Sequence, residues 1–269
     1  MASERLPRPR IWAHRGASHD APENTLAAFE LAERQGADGI ELDAQLCQSG
    51  EVVVLHDESL GRTTGFAGLI GETPWSIVRG LDAGARKDER FRGERVPLLA
   101  DVLRAFPRLI NVEIKCDRAD DRGLTAAVIR EVRDARAQGR VLLSSFNPFC
   151  LFRARRLAPE MPRALLFESQ SAWPLRSGLS ARALSAKALH PESVLATPAR
   201  VRRWRRRGYR VAVWTVDDPA EALRFAESGA TALITNRPSL LLSHFTSGHL
   251  FRSNAEIAET AEDDQGKPA

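Results

Sequence analysis

Short apolar runs alternate along the chain with longer stretches in which apolar residues recur every three or four positions. That rhythm predicts strands separated by helices. The run "RIWAH" (10–14) comes first. "ENTLAAFELAERQG" (23–36) then sets Leu26, Phe29 and Ala32 three apart and closes on Gly36, a helix with a glycine stop. "DGIELDAQL" (38–46) and "EVVVLH" (51–56) read as two strands joined by a "QSG" turn. Residues 57–95 break the rhythm. They are rich in Gly, Thr and charge, and read as an insertion packed over one end of the main body.

Alternation resumes with a helix at 97–106, a strand at 109–115, a helix at 123–139, a strand at 140–146 and a helix at 148–159. Strands at 163–169 and 185–191 follow, then a helix at 198–208, a strand at 209–216, a helix at 219–229 and a last strand at 230–235. About eight strand-then-helix units in 269 residues favour parallel strands closed into a TIM (β/α)8 barrel over an open sheet. The barrel is expected over residues 1–246. The polar, acidic stretch 247–269 is expected to be disordered.

In a barrel of this kind, chemistry gathers at the C-terminal ends of the strands. Polar residues crowd those ends here: His14-Arg15-Gly16 after the first run, Glu41 and Asp43 in the second, His56-Asp57 after "VVVL", and Glu113 and Lys115 in "VEIK". Residues two apart on a strand share a face. Glu41 therefore pairs with Asp43, and Glu113 with Lys115, while Leu42 and Ile114 face the helices. Three carboxylates converging in a low-dielectric site repel one another, and a hard divalent cation, Mg2+ or Ca2+, relieves that. Arg15 and Lys115 beside it suit an anionic oxygen. The two histidines can exchange protons near neutral pH.

Charge and composition narrow the partners. Net charge is +4, a mild excess compatible with an anionic small molecule and weak support for nucleic acid. "RRWRRRG" (202–208) fits a solvated helix face with Trp204 inward; Trp75 and Trp173 are expected to pack, and His19 and His244 to lie at the surface. No apolar run is long enough for a membrane span, so stable membrane insertion is not expected. Three cysteines without metal spacing, and no secretory signal in "MASERLPRPR", point to a cytoplasmic protein with reduced thiols.

Two blocks carry a resemblance. "AHRGASHDAPENTLAAFELAERQGADGIELDAQL" (13–46) and "GEVVVLHDESLGRTTG" (50–65) are similar to the motifs of glycerophosphodiester phosphodiesterases, with support from "VEIK", "SSFNP", "LHP", "VAVWTV" and "ALITNRP". The resemblance implies a TIM barrel with a small insertion over the site, one divalent metal, and hydrolysis of a glycerophosphodiester to glycerol 3-phosphate and an alcohol. It implies His14 and His56 as the acid/base pair and Glu41, Asp43 and Glu113 as metal ligands, with Arg15 and Lys115 on the phosphate. It also implies attack by the glycerol 2-hydroxyl through a cyclic phosphate. Lipid-directed relatives, lysophospholipase D-like or sphingomyelinase D-like, share the motifs and stand as the alternative. Where the family usually has Thr-Asp-x-Pro, this chain has Thr235-Asn236-Arg237-Pro238.

Overall fold

A computed structural model describes residues 8–247; the acidic stretch expected to be disordered lies, from 248 on, outside the described residues. Nine strands form one sheet: β1 (Arg10–His14), β2 (Gly39–Leu46), β3 (Val52–Val54), β4 (Leu109–Ile114), β5 (Val141–Ser145), β6 (Arg163–Phe167), β7 (Ala188–Pro191), β8 (Arg210–Val213) and β9 (Ala232–Thr235). Eight of them are parallel neighbours in the order β1-β9-β8-β7-β6-β5-β4-β2, and β1 pairs β2 to close the ring. This is a TIM barrel.

The expected strand at 51–56 is shorter and does not join the ring. β3 runs antiparallel to the C-terminal end of β2, with Val54 opposite Ala44 and Val52 opposite Leu46. Its apolar run has the right composition for a barrel strand, but a two-residue period carries no information about strand direction or partner. Beyond β3, residues 58–96 contribute Leu60, Ile70, Val78 and Val96 to a satellite core with Cys47, Val53 and Leu55.

The helices follow from local chemistry. Leu26–Arg34 starts at Thr25, whose hydroxyl accepts from the Ala28 amide, and the chain leaves it through Gly36 at φ +84°. Pro148–Leu157 and Pro219–Glu227 each begin with proline behind a capping Asn147 or Asp218. Pro198–Arg206 turns Val201 and Trp204 inward and its arginines out. Only two single-turn helices, Trp173–Arg176 and Ser180–Ala183, follow β6, and Trp173 is 62% exposed rather than packed. A final helix, Pro238–Ser247, which the apolar pattern does not single out, covers β1. Among the described residues no helix is long and apolar enough to cross a membrane.

Two apolar layers between strands and helices hold the ring, one around Leu42, Val112 and Leu143, the other around Leu165, Val211 and Leu233. The lumen is filled differently: Trp12 packs there with Ala212, Ala232 and Ile234. The turn after β1 is the tightest joint. Arg15 and Gly16 both take positive φ, +55° and +84°, and the Ala17 amide donates to the Ala28 carbonyl at 3.0 Å. A β-carbon on Gly16 would lie 2.6 Å from Cβ and 2.7 Å from the carbonyl carbon of Ala28.

Gly16→Ala is therefore expected to cost about 2 kcal/mol or more through strain and helix displacement. A urea melt showing a lowered midpoint at unchanged slope checks this, with Gly50→Ala, where nothing lies within 4 Å, as the control for positive φ alone.

Candidate active site

Strand register assembles the site. His14 stands opposite Glu41, and Asp43 opposite Glu113, across the adjacent strands β1, β2 and β4. All of these side chains sit at the C-terminal rim, and the three carboxylates are buried. Each offers an oxygen within 4.8 Å of the others; among the described residues they form the one cluster able to hold a metal ion.

The electrostatics of that cluster are unresolved by protein charge alone. Burial, with Asp43 and Glu113 nearby, pushes the Glu41 carboxyl well above its ordinary range. Burial likewise lifts Glu113 to about 7, although Lys115 opposes it. Asp43 is held low against its burial by Lys115 and Arg15. The Lys115 ammonium lies 2.9 Å from Glu113 Oε1 and 3.6 Å from Asp43 Oδ1, and Arg15 Nε lies 3.3 Å from Asp43 Oδ2. Two carboxyls forced toward their neutral forms, in an all-oxygen donor set, fit a hard divalent cation.

A cavity of about 370 Å³ opens against this cluster and is lined by His14, Arg15, His56, Glu113 and Lys115. Its apolar wall is Phe146, in edge contact with Trp214 at 5.5 Å between ring centres. Glu168, Ser145 and Ser171 add polar edges. All seven residues singled out from the sequence thus meet at one rim, five on the cavity and Glu41 and Asp43 in the acidic cluster with Glu113.

The partners of each histidine fix which nitrogen faces the cavity. Asp217 accepts from the Asn236 side-chain amide at 2.7 Å, so the Asn236 carbonyl oxygen must point to His14 Nδ1, 2.8 Å away. His14 Nδ1 therefore carries the proton, and Nε2 points toward Glu41 at 3.9 Å. Burial, then Arg15, lowers His14 to about 4, so the ring is neutral at pH 7. His56 Nδ1 donates instead to the Asp57 carboxylate at 2.7 Å. Hydrogen bonding from Arg62 holds that carboxylate at about 2. One imidazole thus leans on a neutral amide, the other on a fixed negative charge.

Several supporting residues escape a reading of strand ends. Asn24, at φ +58°, donates to Asp43 Oδ2 at 2.9 Å; Glu23 accepts from Arg15 at 3.0 Å; the Arg15 amide donates to Glu41 Oε2 at 3.1 Å. Gln45 Nε2 lies within 3.0 Å of the carbonyl oxygens of Leu55, His56 and Asp57. Asp217 also accepts from Thr235 Oγ1 and the Asn236 amide. Glu23 and Asn24 lie within the first motif block, so proximity to His14 and Arg15 was the available signal. Gln45 lies in that block too, two residues beyond Asp43 on the same strand; Asp217 carried no signal. His19 and His244 are exposed, as expected; His190, at the end of its strand, is fully buried against Trp12.

Comparison with known proteins decides the family. Residues 14–240 match the model of the glycerophosphoryl diester phosphodiesterase family. The chain belongs to that family. As a glycerophosphoryl diester phosphodiesterase family member it is a phosphoric diester hydrolase. It is 35% identical over 236 residues to a glycerophosphodiester phosphodiesterase of Caldanaerobacter subterraneus, covering 87% of this chain and 96% of that one. It is 30% identical to a glycerophosphodiester phosphodiesterase of Bacillus subtilis, covering 85% and 83%. Among solved structures, an Oleispira antarctica phosphodiesterase in complex with the product sn-glycerol-3-phosphate superposes with a TM-score of 0.83 at 32% identity, over 89% of this chain and 97% of that one. A glycerophosphodiester phosphodiesterase of Agrobacterium tumefaciens gives 0.74 at 30% identity, over 87% and 99%.

Two outcomes are expected. Mg2+ or Ca2+ should raise the melting temperature of the wild type, by an amount equivalent to about 2.7 kcal/mol at a hundredfold excess over Kd. In Asp43→Asn or Glu41→Gln the shift should shrink, as differential scanning fluorimetry would read directly. Asn236→Asp should raise the pKa of His14, because a carboxylate favours the imidazolium. NMR titration of the ring, and an acidic limb of kcat/KM displaced toward neutrality, check that sign.

Proposed function

We propose that the protein hydrolyses glycerophosphodiesters to glycerol 3-phosphate and an alcohol with the help of one divalent cation. The observation that carries this is the convergence of two imidazoles, a guanidinium and an ammonium on one small cavity that reaches, through Glu113, a cluster of three buried carboxylates. Glu41, Asp43 and Glu113 would hold the cation, which supplies Lewis-acid neutralisation of phosphoryl charge when bound.

Arg15 and Lys115 bind the non-bridging phosphate oxygens, and the anionic transition state gains more from them than the ground state does. His14 is the base. Its neutral ring presents Nε2 to the cavity and accepts the proton of the glycerol 2-hydroxyl. The hydroxyl oxygen then bonds to phosphorus in an intramolecular, proximity-assisted step. His56 is the acid. Its imidazolium is supported by Asp57, and its Nε2 proton passes to the departing alkoxide as the phosphorus–oxygen bond breaks. The roles reverse for the second half: neutral His56 takes a proton from water, water oxygen opens the cyclic phosphate, and His14 returns its proton to the 2-oxygen.

The lipid-directed alternative draws less support. It calls for an apolar lid; of the apolar residues in 58–96, Phe66, Ile70 and Trp75 pack into or against the satellite core, and Leu69 and Ile77 are exposed but do not line the cavity with the two histidines. The three cysteines are free thiols, which suits a cytoplasmic enzyme of deacylated substrates.

The deciding assay measures glycerol 3-phosphate release from glycerophosphocholine with Mg2+ or Ca2+, beside lysophosphatidylcholine. Release from the first and none from the second is expected. His14→Ala and His56→Ala should each lower kcat by roughly 10²-fold. A phosphocholine diester of 1,3-propanediol, lacking the adjacent hydroxyl, should not turn over. Ready cleavage of it would mean that water attacks phosphorus directly.

A further inference from the structure

Arg62 touches none of the groups to which the mechanism assigns chemistry, yet it meets the partners of two of them. Its guanidinium donates to Glu23 through both terminal nitrogens, at 2.7 and 2.8 Å, and through Nε to Asp57. Glu23 holds Arg15 together with Asp43, and Asp57 holds His56. The chain Arg15–Glu23–Arg62–Asp57–His56 is therefore continuous, with alternating charge at every link. Its two ends come from different parts of the fold: Arg15 from the turn after β1, His56 from the segment beyond β3. Strand β2 holds the main chain at both ends, through Glu41 at the Arg15 amide and Gln45 at the His56 carbonyl, whereas the chain through Arg62 is what ties the two side chains together.

The segment carrying Arg62 is itself fastened to the same turn. Arg62 sits in the single helical turn Gly61–Thr64, and its carbonyl accepts from Arg86 at 3.0 Å. Lys87 donates to the Ser18 carbonyl and Arg90 to the Asp20 carbonyl, each at 2.9 Å. A planar guanidinium can span two carboxylates with fixed geometry, whereas an ammonium acts as a point charge on one.

We propose that Arg62 is a positioning residue: by bridging Glu23 and Asp57 it fixes the phosphate-binding Arg15 and the acid His56 relative to each other, so residues 58–96 serve as a brace for the reaction centre. This rests on the roles given above to Arg15 and His56. A misplacement of about 1 Å in such groups lowers turnover by as much as 10²-fold without removing any reacting atom.

The test compares wild type, Arg62→Ala and Arg62→Lys, each in the full chain with the cation present. Arg62→Ala should lose at least tenfold in kcat and raise KM, since both the acid and the phosphate contact lose alignment, while the melting temperature stays close to wild type. Arg62→Lys should recover only part of the loss. In the pair Arg62→Ala with Asp57→Asn, the combined loss should be smaller than the product of the two single losses, because both act through His56. A ¹⁵N spectrum of the His56 ring reads the same link without turnover: a single Nδ1–H tautomer in wild type, a mixture in Arg62→Ala. Unchanged kcat and an unchanged ring spectrum in Arg62→Ala would overturn the proposal, as would full activity in Arg62→Lys. An inactive wild type would sink the assigned function instead, and the ring spectrum would still decide whether Arg62 braces His56.

Discussion

Three carboxylates share the end of a barrel lumen with almost no access to water, and the rest of the rim is arranged around their repulsion. Transfer of such charge from water is expensive unless it is paired. Arg15, Lys115 and the Asn24 amide offset part of that cost and leave Glu41 and Glu113 under-compensated. The residual demand is for a compact positive charge with oxygen affinity. Folding supplies the anions at fixed register, and the donor set they form fits a hard divalent cation.

Each imidazole is conditioned by a neighbour placed on a different element. His14 gives its Nδ1 proton to a neutral amide and is kept unprotonated by burial and by Arg15, while His56 gives its Nδ1 proton to a carboxylate. The asymmetry comes from β9 on one side and the residue after His56 on the other, and in both cases the neighbour is anchored in turn: Asn236 by Asp217, Asp57 by Arg62. A pair of identical side chains is thus held in two different electrostatic settings, one neutral and one anionic, by the layer behind it.

Much of this was legible in the chain. Alternation of apolar runs located every barrel strand, and the two-residue period put Glu41 and Asp43 on one face with Leu42 on the other, as found. Direction was not legible: "EVVVLH" looks like any buried strand, and its antiparallel course follows from the short turn before it. The closing helix at Pro238–Ser247 hid behind a serine-rich sequence. The polar layer behind the histidines was hidden for a further reason. Asp217 meets Asn236 across 19 residues, and Arg62, although only five residues from Asp57, reaches Glu23 across 39; nothing local marks such meetings.

Gln45 shows how the rim tolerates change. One buried amide group faces three successive carbonyl oxygens, from Leu55 to Asp57, so it grips main chain and ignores what that main chain carries. The peptide path is thereby decoupled from its side chains. The ledge that displays the His56 ring and the Asp57 carboxylate is therefore held by its own carbonyl oxygens, independently of the bonds those two side chains make.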